Sequence, residues 1–589
     1  MKVNELNLMI GGFAGQGVKT VGDVFSRICV RAGLHVFVNL EYPSNIKGEH
    51  NHTQLMIAER PVRSIEAPLD LLLCLDAKSV VWHQRDLRPG GALIYDSENL
   101  DVSPVDVGLG PVKIDRQDIL VVDMPLLRIA KEVGGGEKML NSMGIGAMQG
   151  LLRFDFEELA AMLRVTLAKL GEELVRKNIE GARHAFDMAT ERYADRFDRR
   201  LERRDGPDRL LITGNDALGL GALKAGVKFY AAYPMTPSSS LLGLMARHSE
   251  EFKMVTVLPE DEIAAIGMAV GAAYAGVRAM TGTSGGGFCL MSEHYGLAAM
   301  CEIPLVILES QRPGPATGLP TRTAQGDLWF VLSAHQDEFP RVVIAPGDPE
   351  EAFRLGFEAF NIADRLQTPV IILMDKHVSE SAWTYEPFRT EGMTIDRGEF
   401  LEEVTRTEIA DGCYRRYKVT ESGVSPWARP GTPGGVYLAN GNMHNECGHI
   451  SEDENVRTAQ LAKRLRKLDL LDVSETGARL HGDPEADVTL VGWGSNKPVL
   501  LDVMHKLQKH RGLRCNFLQV IYMSPFPVTK VTEVLGRAKR TILVENNAAA
   551  QLGSLIRART GIEIQEKILK WDGRTFFRDR LAEAIEKLL

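Results

Sequence analysis

The chain of 589 residues lacks several features that mark specialised protein classes. Its seven cysteines include no C-x-x-C pair, which argues against a zinc ribbon and against an iron–sulfur cluster held by this chain alone. No segment is long and apolar enough to cross a bilayer, and the first ten residues do not have the pattern of a secretory signal peptide. We therefore expect buried, reduced thiols in a cytoplasmic protein with no membrane contact.

An excess of positive charge is also missing. The net charge of −9 argues against nucleic-acid binding, because neutralising phosphates requires a basic face. The hydrophobic fraction of 44% and the charged fraction of 25% are ordinary for a globular protein. Since the chain is too long for a single hydrophobic core, we expect three or more domains.

Apolar runs that are typical of buried strands alternate with segments long enough for helices, which predicts three α/β domains. The predicted strands are 8–10, 35–40, 71–75 and 92–95 in the first block, 227–232, 254–258, 304–308, 342–344 and 370–374 in the second, and 488–491, 517–521 and 542–544 in the third. The predicted boundaries are a first domain at 1–195, a charged linker at 196–208, a second domain at 209–385, a loop-rich connector at 386–486 and a third domain at 487–589.

The sequence GGFAGQGVKT at residues 11–20 follows the first predicted strand and precedes a helix. Glycines at such a turn let the amides of a helix N-terminus approach an anion. The spacing differs from that of a nucleotide-binding phosphate loop, because Val18 stands where that loop has its lysine. Gly12, Gly15 and Gly17 therefore form either a turn needed for tight packing or a loop for an anion or nucleotide-like ligand.

Two loops of the second block carry candidate chemistry. In YPMTPSSS at residues 233–240, prolines on both sides of Thr236 fix the backbone that carries its hydroxyl, and Ser238 or Ser239 can cap the next helix. Glu262 is the last of three acids that begin a helix of mostly small residues. Exposed acids would interact favourably with the helix dipole, whereas a buried acid on this apolar helix would need a partner.

Two later loops follow predicted strands. The triple glycine of TGTSGGGF at residues 281–288 predicts a backbone that runs against a ligand or another subunit. Arg312 begins the sequence RPGPATGLPTR, in which the next residue is proline. A guanidinium held in this way suits bidentate binding of a carboxylate, and a structural salt bridge is the alternative interpretation.

Taken together, these segments resemble the 2-oxoacid:ferredoxin oxidoreductase family, in particular α subunits with a γ domain fused at the N-terminus. The most specific matches are YPMTPSS at 233–239, the Glu262 helix, TSGGGF at 283–288 and GPATGLPT at 314–321. The resemblance implies a γ-type open-sheet domain, a transketolase-like domain that binds the thiamine pyrimidine, and a domain like the C-terminal domain of transketolase.

The resemblance also implies roles for individual residues. Glu262 would bind N1′ of the thiamine aminopyrimidine, Arg312 would bind the substrate carboxylate, and Thr236 and Thr321 would supply hydroxyl contacts. Glu262, Arg312 and Thr236 are thus the predicted catalytic residues. Further cofactor contacts are predicted at Tyr233, Pro234, Ser284, Gly285 and Gly286, and a coenzyme A or anion loop at Gly12, Gly15 and Gly17.

No Gly-Asp-Gly stretch, which holds magnesium and diphosphate in stand-alone thiamine enzymes, occurs in the sequence. The resemblance therefore implies a β subunit that carries the diphosphate site, Mg²⁺ and a [4Fe-4S] cluster, in an (αβ)₂ assembly. Thiamine diphosphate would be shared, coenzyme A would be the co-substrate and ferredoxin the electron acceptor. Conversion of 2-oxoglutarate to succinyl-CoA is the expected reaction. The alternatives are pyruvate, branched-chain or aryl 2-oxoacids, and a non-catalytic nucleotide-binding or scaffold subunit.

Two further segments bear on ligand binding. Lys47, Gly48 and Glu49 stand where relatives often have arginine and paired glycines, which affects the ligand role of the first domain. His444 and His449, with Glu446 between them, have a spacing compatible with a metal site on the connector. Because such spacing is permissive on a loop, we predict no bound metal for this chain.

Overall fold

A computed structural model describes residues 2–44, 49–100, 114–406, 408–410 and 412–589. Lys47 and Gly48 therefore lie outside the described residues. The chain divides into two compact units, the first made of Met1–Ile212, Ser381–Pro387 and Phe576–Glu583, and the second made of Thr213–Glu380, Phe388–Thr575 and Ala584–Leu589. Within the described ranges, no helix is both long and apolar enough to cross a membrane.

The first unit is built on a mixed eight-stranded sheet. Its strands are, in spatial order, Leu120–Asp123, Leu87–Tyr95, Leu69–Cys74, Glu5–Phe13, His50–Ala58, His35–Glu41, Ala382–Tyr385 and Leu210–Thr213. Its helices are Val18–Arg31, Ala77–His83, Leu126–Glu132, Leu140–Leu151, Phe156–Thr166 and Glu172–Tyr193. The short strands Lys2–Val3 and Arg199–Arg200 pair in parallel. Arg199–Arg200 lies within the segment predicted as a linker.

The four strands predicted for the first block all overlap observed strands. The prediction missed strand His50–Ala58, which pairs antiparallel with Glu5–Phe13 on one side and with His35–Glu41 on the other. It begins with the polar run His50, Asn51 and His52, which hides the apolar signal of the residues that follow. The first unit thus departs from a purely parallel βαβ pattern.

The second unit contains a seven-stranded sheet that is parallel except at one edge. Its strands are, in spatial order, Val255–Val257, Phe229–Ala231, Ala279–Thr283, Leu305–Gln311, Pro369–Asp375, Val342–Ile344 and the antiparallel Tyr522–Ser524. The accompanying helices are Gly214–Lys224, Ser239–His248, Glu262–Tyr274, Gly285–Met300, Leu328–Ser333, Pro349–Leu366 and Lys376–Glu380. The continuous apolar runs predicted as buried strands occupy this sheet.

A five-stranded sheet also belongs to the second unit. Its strands are, in spatial order, Ala478–His481, Cys515–Val520, Val488–Trp493, Thr541–Glu545 and Glu566–Leu569, and its helices are Asn496–Arg511, Val528–Arg537 and Gln551–Thr560. A further helix spans Arg578–Leu588. Ile307 and Leu373 of the seven-stranded sheet share one buried hydrophobic cluster with Val491 and Leu518 of the five-stranded sheet. The segments predicted as second and third domains therefore share a core.

The predicted connector is mostly loop, with two short strand pairs and a helix that sequence reasoning missed. The pairs are Phe400–Leu401 with Trp427–Ala428 and Ile409–Ala410 with Cys413–Tyr414, and the helix is Glu454–Arg466. Cys413 and Cys447 form a disulfide in this region, and Cys289 is exposed. The expectation of buried, reduced thiols is wrong for these three and is confirmed for Cys29, Cys74, Cys301 and Cys515.

Candidate active site

The Thr236 loop connects strand Phe229–Ala231 to helix Ser239–His248. Asn215 is buried and its Nδ2 donates to the carbonyl of Pro237 at 2.8 Å. Ser238 occupies the N-cap position, but its side chain makes no cap hydrogen bond and instead donates to the carbonyl of Met235 at 2.7 Å. The prediction that a serine caps this helix was therefore wrong, because the hydroxyl stabilises the preceding loop.

Glu262 is the first residue of helix Glu262–Tyr274, and only 4% of its surface is exposed. The adjacent Asp261 caps the helix by accepting a 2.7 Å hydrogen bond from the amide of Ala264. Among the residues that the structure describes, Oε1 of Glu262 has no hydrogen-bond partner. A buried carboxylate oxygen without a partner is costly. Capping thus belongs to Asp261, and Glu262 presents an unsatisfied acceptor.

Glycine at position 287 makes room for the Glu262 side chain. A Cβ atom at Gly287 would lie 2.7 Å from Cγ and 2.9 Å from Oε1 of Glu262, closer than real Cβ contacts allow. The triple glycine therefore runs against the side chain of Glu262, and the expectation that it runs against a ligand or another subunit stays a prediction. Gly285 plays a similar part for Asp327, since a Cβ there would lie 2.6 Å from Oδ2 of that carboxylate.

More buried polar atoms on strand Ala279–Thr283 and the elements beside it have open hydrogen-bonding capacity. Ser284 is fully buried at the start of helix Gly285–Met300, and its hydroxyl makes no cap hydrogen bond. Within the described part of the chain, no hydrogen-bond partner is present for the hydroxyls of Ser284, Thr281 and Tyr230. The hydroxyl of Ser284, next to the triple glycine, can donate and accept hydrogen bonds, and together with Oε1 of Glu262 it fits the aminopyrimidine of thiamine diphosphate.

Arg312 follows strand Leu305–Gln311 and is half-buried. Its Nη1 donates a 2.7 Å hydrogen bond to the backbone carbonyl of Thr236, which joins two of the predicted loops. Burial lowers the pKa of Arg312, against the opposing effect of the charges on Asp327, Glu262 and Glu309. The guanidinium is thus held beside the Thr236 loop in a partly desolvated, acidic setting.

The loop that follows Arg312 is anchored at its far end by Gln325. Its Nε2 donates to the carbonyl of Trp493 at 2.9 Å, and its Oε1 accepts from Asn496 at 3.0 Å. The side chain of Asn547 donates to the carbonyl of Gln325, also at 3.0 Å. Because these partners follow strands of the five-stranded sheet, that sheet fixes the loop of the substrate-clamp candidate.

Two acids near Arg312 were not predicted from the sequence as site residues. Glu309 is fully buried, and burial together with the charge of Asp327 raises the pKa of Glu309 well above its usual range. Burial also raises the pKa of Asp327 to about 6, against the lowering effects of Glu309 and Arg312. The signal for Glu309 was an acid inside an apolar strand, whereas no local pattern distinguishes Asp327.

The remaining predicted contacts differ in exposure. Thr321 is buried further along the Arg312 loop. Tyr233, Pro234 and Gly286 are exposed, so their side of the site faces away from the core of this chain. The roles of these four residues stay predictions.

The glycine turn of the first unit borders a cavity of about 880 Å³. Its lining includes Gly15, Gly17, Asp76, Asn99, Lys138 and Asn141. Gly17 has a φ of 77° where helix Val18–Arg31 begins, a conformation that favours glycine. The turn is therefore needed for local geometry and also lines a space that can hold a ligand.

His444 and His449 do not converge. His444 is buried and its Nδ1 contacts the carbonyl of Asn442 at 2.8 Å, whereas His449 is exposed. The carboxylate of Glu446 accepts from the amide of Val419 at 2.7 Å. The geometry of the connector gives no support to a metal site at these histidines.

Comparison with known proteins places this arrangement in a family. Residues 220–461 match the family described as pyruvate flavodoxin/ferredoxin oxidoreductase, thiamine diphosphate-binding, and residues 7–188 match pyruvate ferredoxin/flavodoxin oxidoreductase. The chain is 34% identical to subunit alpha of 2-oxoacid:ferredoxin oxidoreductase 2 from Aeropyrum pernix, over 99% of this chain and 98% of the relative. The chain belongs to the 2-oxoacid:ferredoxin oxidoreductase α subunits.

Two further relatives extend the likeness of this α subunit. It is 27% identical to the 2-oxoglutarate oxidoreductase subunit KorA from Mycobacterium tuberculosis, over 100% of this chain and 92% of the relative. The solved structure of 2-oxoglutarate:ferredoxin oxidoreductase from Magnetococcus marinus, with 2-oxoglutarate, coenzyme A and succinyl-CoA bound, matches with a TM-score of 0.89 at 29% identity, over 99% of both chains. The predicted family, α/β fold class and enzyme activity are confirmed.

Proposed function

We propose that this α subunit supplies the pyrimidine half of a shared thiamine diphosphate site to an enzyme that converts 2-oxoglutarate and coenzyme A to succinyl-CoA and CO₂, passing two electrons to ferredoxin. The observation that carries the proposal is the buried, unpartnered Oε1 of Glu262 beside Gly287. The charge of Arg312 interacts with Glu262, but within the described part of the chain Oε1 still lacks the hydrogen bond that a buried carboxylate needs.

Glu262 would hold a proton between its carboxylate and N1′ of the aminopyrimidine. Thiamine diphosphate, when bound, supplies the carbon nucleophile and electron sink for decarboxylation of a 2-oxoacid. The hydroxyl of Ser284 and the backbone at Gly285 and Gly286 would contact the same ring. Tyr233 and Pro234 would cover it from the exposed side.

Arg312 would bind the carboxylate of the substrate next to its 2-oxo group. Its hydrogen bond to the carbonyl of Thr236 leaves guanidinium N–H groups available for a bidentate contact. The hydroxyls of Thr236 and Thr321 would orient the same substrate. Because Gln325 anchors the Arg312 loop on the five-stranded sheet, the clamp would be pre-organised before substrate arrives.

Exposed apolar side chains support a partner subunit beside this site. Leu258, Ile263 and Met268 are 63%, 44% and 44% exposed around the start of the Glu262 helix, and Leu290 is 49% exposed on the next helix. Such a patch is typical of an interaction surface. We propose that a β subunit with a Gly-Asp-Gly motif covers it, bringing Mg²⁺, the diphosphate site and a [4Fe-4S] cluster, in an (αβ)₂ assembly.

The cavity beside Gly15 and Gly17 is our candidate for the coenzyme A or anion site of the first unit. Its volume of about 880 Å³ admits part of a large ligand, and its lining carries one positive charge, Lys138, beside the acids Asp76 and Glu137. Gly12 lies under the turn, where a Cβ would be 2.7 Å from Oε1 of Gln16. We therefore assign Gly12 to turn geometry and the other two glycines to ligand approach.

The substrate is tested with the purified complex, coenzyme A, a viologen acceptor and a panel of 2-oxoacids. We expect the highest kcat/KM for 2-oxoglutarate, in keeping with the names of the Mycobacterium tuberculosis and Magnetococcus marinus relatives. A higher kcat/KM for pyruvate or for a branched-chain or aryl 2-oxoacid would identify that compound as the substrate instead. No turnover of any oxoacid by a complex that contains its cluster and thiamine diphosphate would favour a scaffold subunit.

The division of labour between subunits is tested on the isolated full chain. Calorimetric titration with thiamine diphosphate and Mg²⁺ should show no sub-micromolar binding, because the diphosphate site lies on the partner. Iron analysis of the same sample should show no stoichiometric cluster iron. Tight cofactor binding or bound cluster iron on this chain alone contradicts the proposed division.

A further inference from the structure

Three histidine rings of the first unit form a compact cluster. His50 and His52 lie two residues apart on strand His50–Ala58, so their side chains leave the same face of the strand. His83 is the last residue of helix Ala77–His83. One ligand nitrogen from each ring lies within 4.8 Å of the other two, and Nε2 of His50 and Nε2 of His83 are 2.9 Å apart.

The orientation of His83 is fixed from behind by a carboxylate. Its Nδ1 lies 2.8 Å from Oδ2 of Asp86, which leaves Nε2 directed into the cluster. A carboxylate on the second ring nitrogen is the usual support for a histidine that binds a metal ion. A second acid, Asp76, places Oδ1 3.9 Å from Nδ1 of His50. The cluster therefore has three ligand nitrogens and one acid, Asp86, that is hydrogen-bonded to a ring from behind.

The scaffold around the rings is built from regular structure. Sheet pairing places His52 opposite Gly11 on one side and opposite Glu41 on the other. A Cβ at Gly11 would lie 3.1 Å from the His50 ring. The absence of a side chain at Gly11 therefore leaves room for that ring. Trp82 packs edge-on against His50 with ring centroids 5.0 Å apart. A ligand set held by a strand and a helix end is more precise than one held by loops.

We propose that His50, His52 and His83 bind one divalent transition-metal ion, zinc by the chemistry of the ligands, with Asp86 as a positioning residue for His83 and a fourth coordination position left open. Neutral imidazole suits zinc, copper, iron and nickel, and three histidines with an open position are a known zinc arrangement. With zinc–nitrogen bonds of about 2.0–2.1 Å, two ligand nitrogens on a tetrahedral ion lie roughly 3.3 Å apart. Side-chain adjustments on the order of 1 Å are enough to reach that geometry from the observed cluster.

The test uses the untagged full chain, stripped with a chelator and then titrated with Zn²⁺ against a chromophoric competitor, and with Co²⁺ followed by visible absorption. We expect about one equivalent of tightly bound metal and cobalt bands of tetrahedral intensity. His52→Ala and His83→Ala should each weaken zinc binding at least 100-fold. Asp86→Asn, at a half-exposed side chain, should weaken it about 10–100-fold without disturbing the fold.

The matched control is His248→Ala, which removes a histidine that also pairs with an acid, Glu251, on an exposed helix end. This variant should keep wild-type stoichiometry and affinity. Circular dichroism spectra and melting curves identify any variant that fails to fold. If a histidine variant fails to fold, the zinc affinity of Asp86→Asn is the test of the proposal. If the wild-type chain binds no more zinc than His52→Ala, or if Asp86→Asn binds as tightly as the wild type, the cluster is a hydrogen-bonded histidine pair with a neighbour and the proposal is overturned.

Discussion

Nη1 of Arg312 donates a 2.7 Å hydrogen bond to the backbone carbonyl of Thr236, a residue 76 positions earlier in the chain. The contact brings together two loops that follow different strands of the seven-stranded sheet, Phe229–Ala231 and Leu305–Gln311. It places the proposed carboxylate clamp and the proposed hydroxyl contact on one side of the site.

Replacing Arg312 with Lys keeps the positive charge but removes the planar fork. We expect a 10- to 100-fold rise in the KM for the oxoacid with a smaller change in kcat, because a charge-assisted bidentate contact is worth roughly 1.5–3 kcal/mol. Steady-state kinetics with the purified complex measure both values, and Lys253→Arg, at an exposed residue of the same unit, serves as the control. A variant that loses kcat alone would argue that Arg312 acts on the reaction rather than on substrate binding.

Replacing Glu262 with Gln keeps the size of the side chain but removes its ability to hold a proton for N1′. Turnover and hydrogen–deuterium exchange at C2 of the bound cofactor should both fall by about 10²–10⁴. The folded structure should persist, because the buried carboxylate oxygen that is lost has no partner in the described chain. Glu260→Gln, exposed two residues earlier, is the control. If C2 of the cofactor exchanged as fast in Glu262→Gln as in the wild type, Glu262 would be only an acid at the start of a helix.

Gly287→Ala tests the space beside Glu262 without touching its chemistry. The new Cβ would lie 2.1 Å from Oγ1 of Thr283 and 2.9 Å from Oε1 of Glu262, so both side chains must shift, and we expect cofactor affinity in the complex to fall at least tenfold. The control is Gly271→Ala on the Glu262 helix, where a Cβ meets nothing within 4 Å. Calorimetry on the two complexes gives the comparison. Equal affinities would show that the position of Glu262 is not set by Gly287.

Glu302 forms buried ion pairs with Lys463 at 2.7 Å and Lys467 at 2.6 Å. Burial alone would raise the pKa of Glu302, but the charges of Lys463, Lys467 and Arg416 outweigh it and hold this pKa well below its usual value. Since the folded pKa is depressed, the carboxylate stabilises the fold fully above about pH 4.3 and progressively less as the pH falls further.

Glu302→Gln should therefore lower the free energy of unfolding by about 3–5 kcal/mol at pH 7, because two buried lysines lose their partner. The difference from the wild type should grow as the pH falls, because burial already lowers the pKa of Lys467 to about 7 and that of Lys463 to about 8, and without the carboxylate their protonation in the folded state costs more. Denaturant titrations at pH 7 and pH 4 measure it, with the exposed Glu250→Gln as the control. A loss that is equal at both pH values would contradict the charge-based account.

Much of the fold was predictable from local sequence. Parallel strands covered on both faces need continuous apolar runs, and those runs identified strands such as Leu305–Gln311 and Val342–Ile344. Strand His50–Ala58 and helix Glu454–Arg466 were missed, because a polar start masks the first and a highly charged composition masks the second. Strand His50–Ala58 buries its last six residues but begins with three partly exposed polar ones, and the buried residues of helix Glu454–Arg466 are polar or charged.

The sequence by itself determined that an acid begins an apolar helix at Glu262, that Arg312 and Thr236 follow strands, and that the segments resemble one family. Only the tertiary structure decided which side chains meet. It placed Gly287 against Glu262, set the buried Glu309 and the partly buried Asp327 near Arg312, gathered His50, His52 and His83, and kept His444 and His449 apart. The physical reason is that these relationships depend on strand order, register and loop anchoring, which join residues far apart in sequence and leave no trace in local spacing.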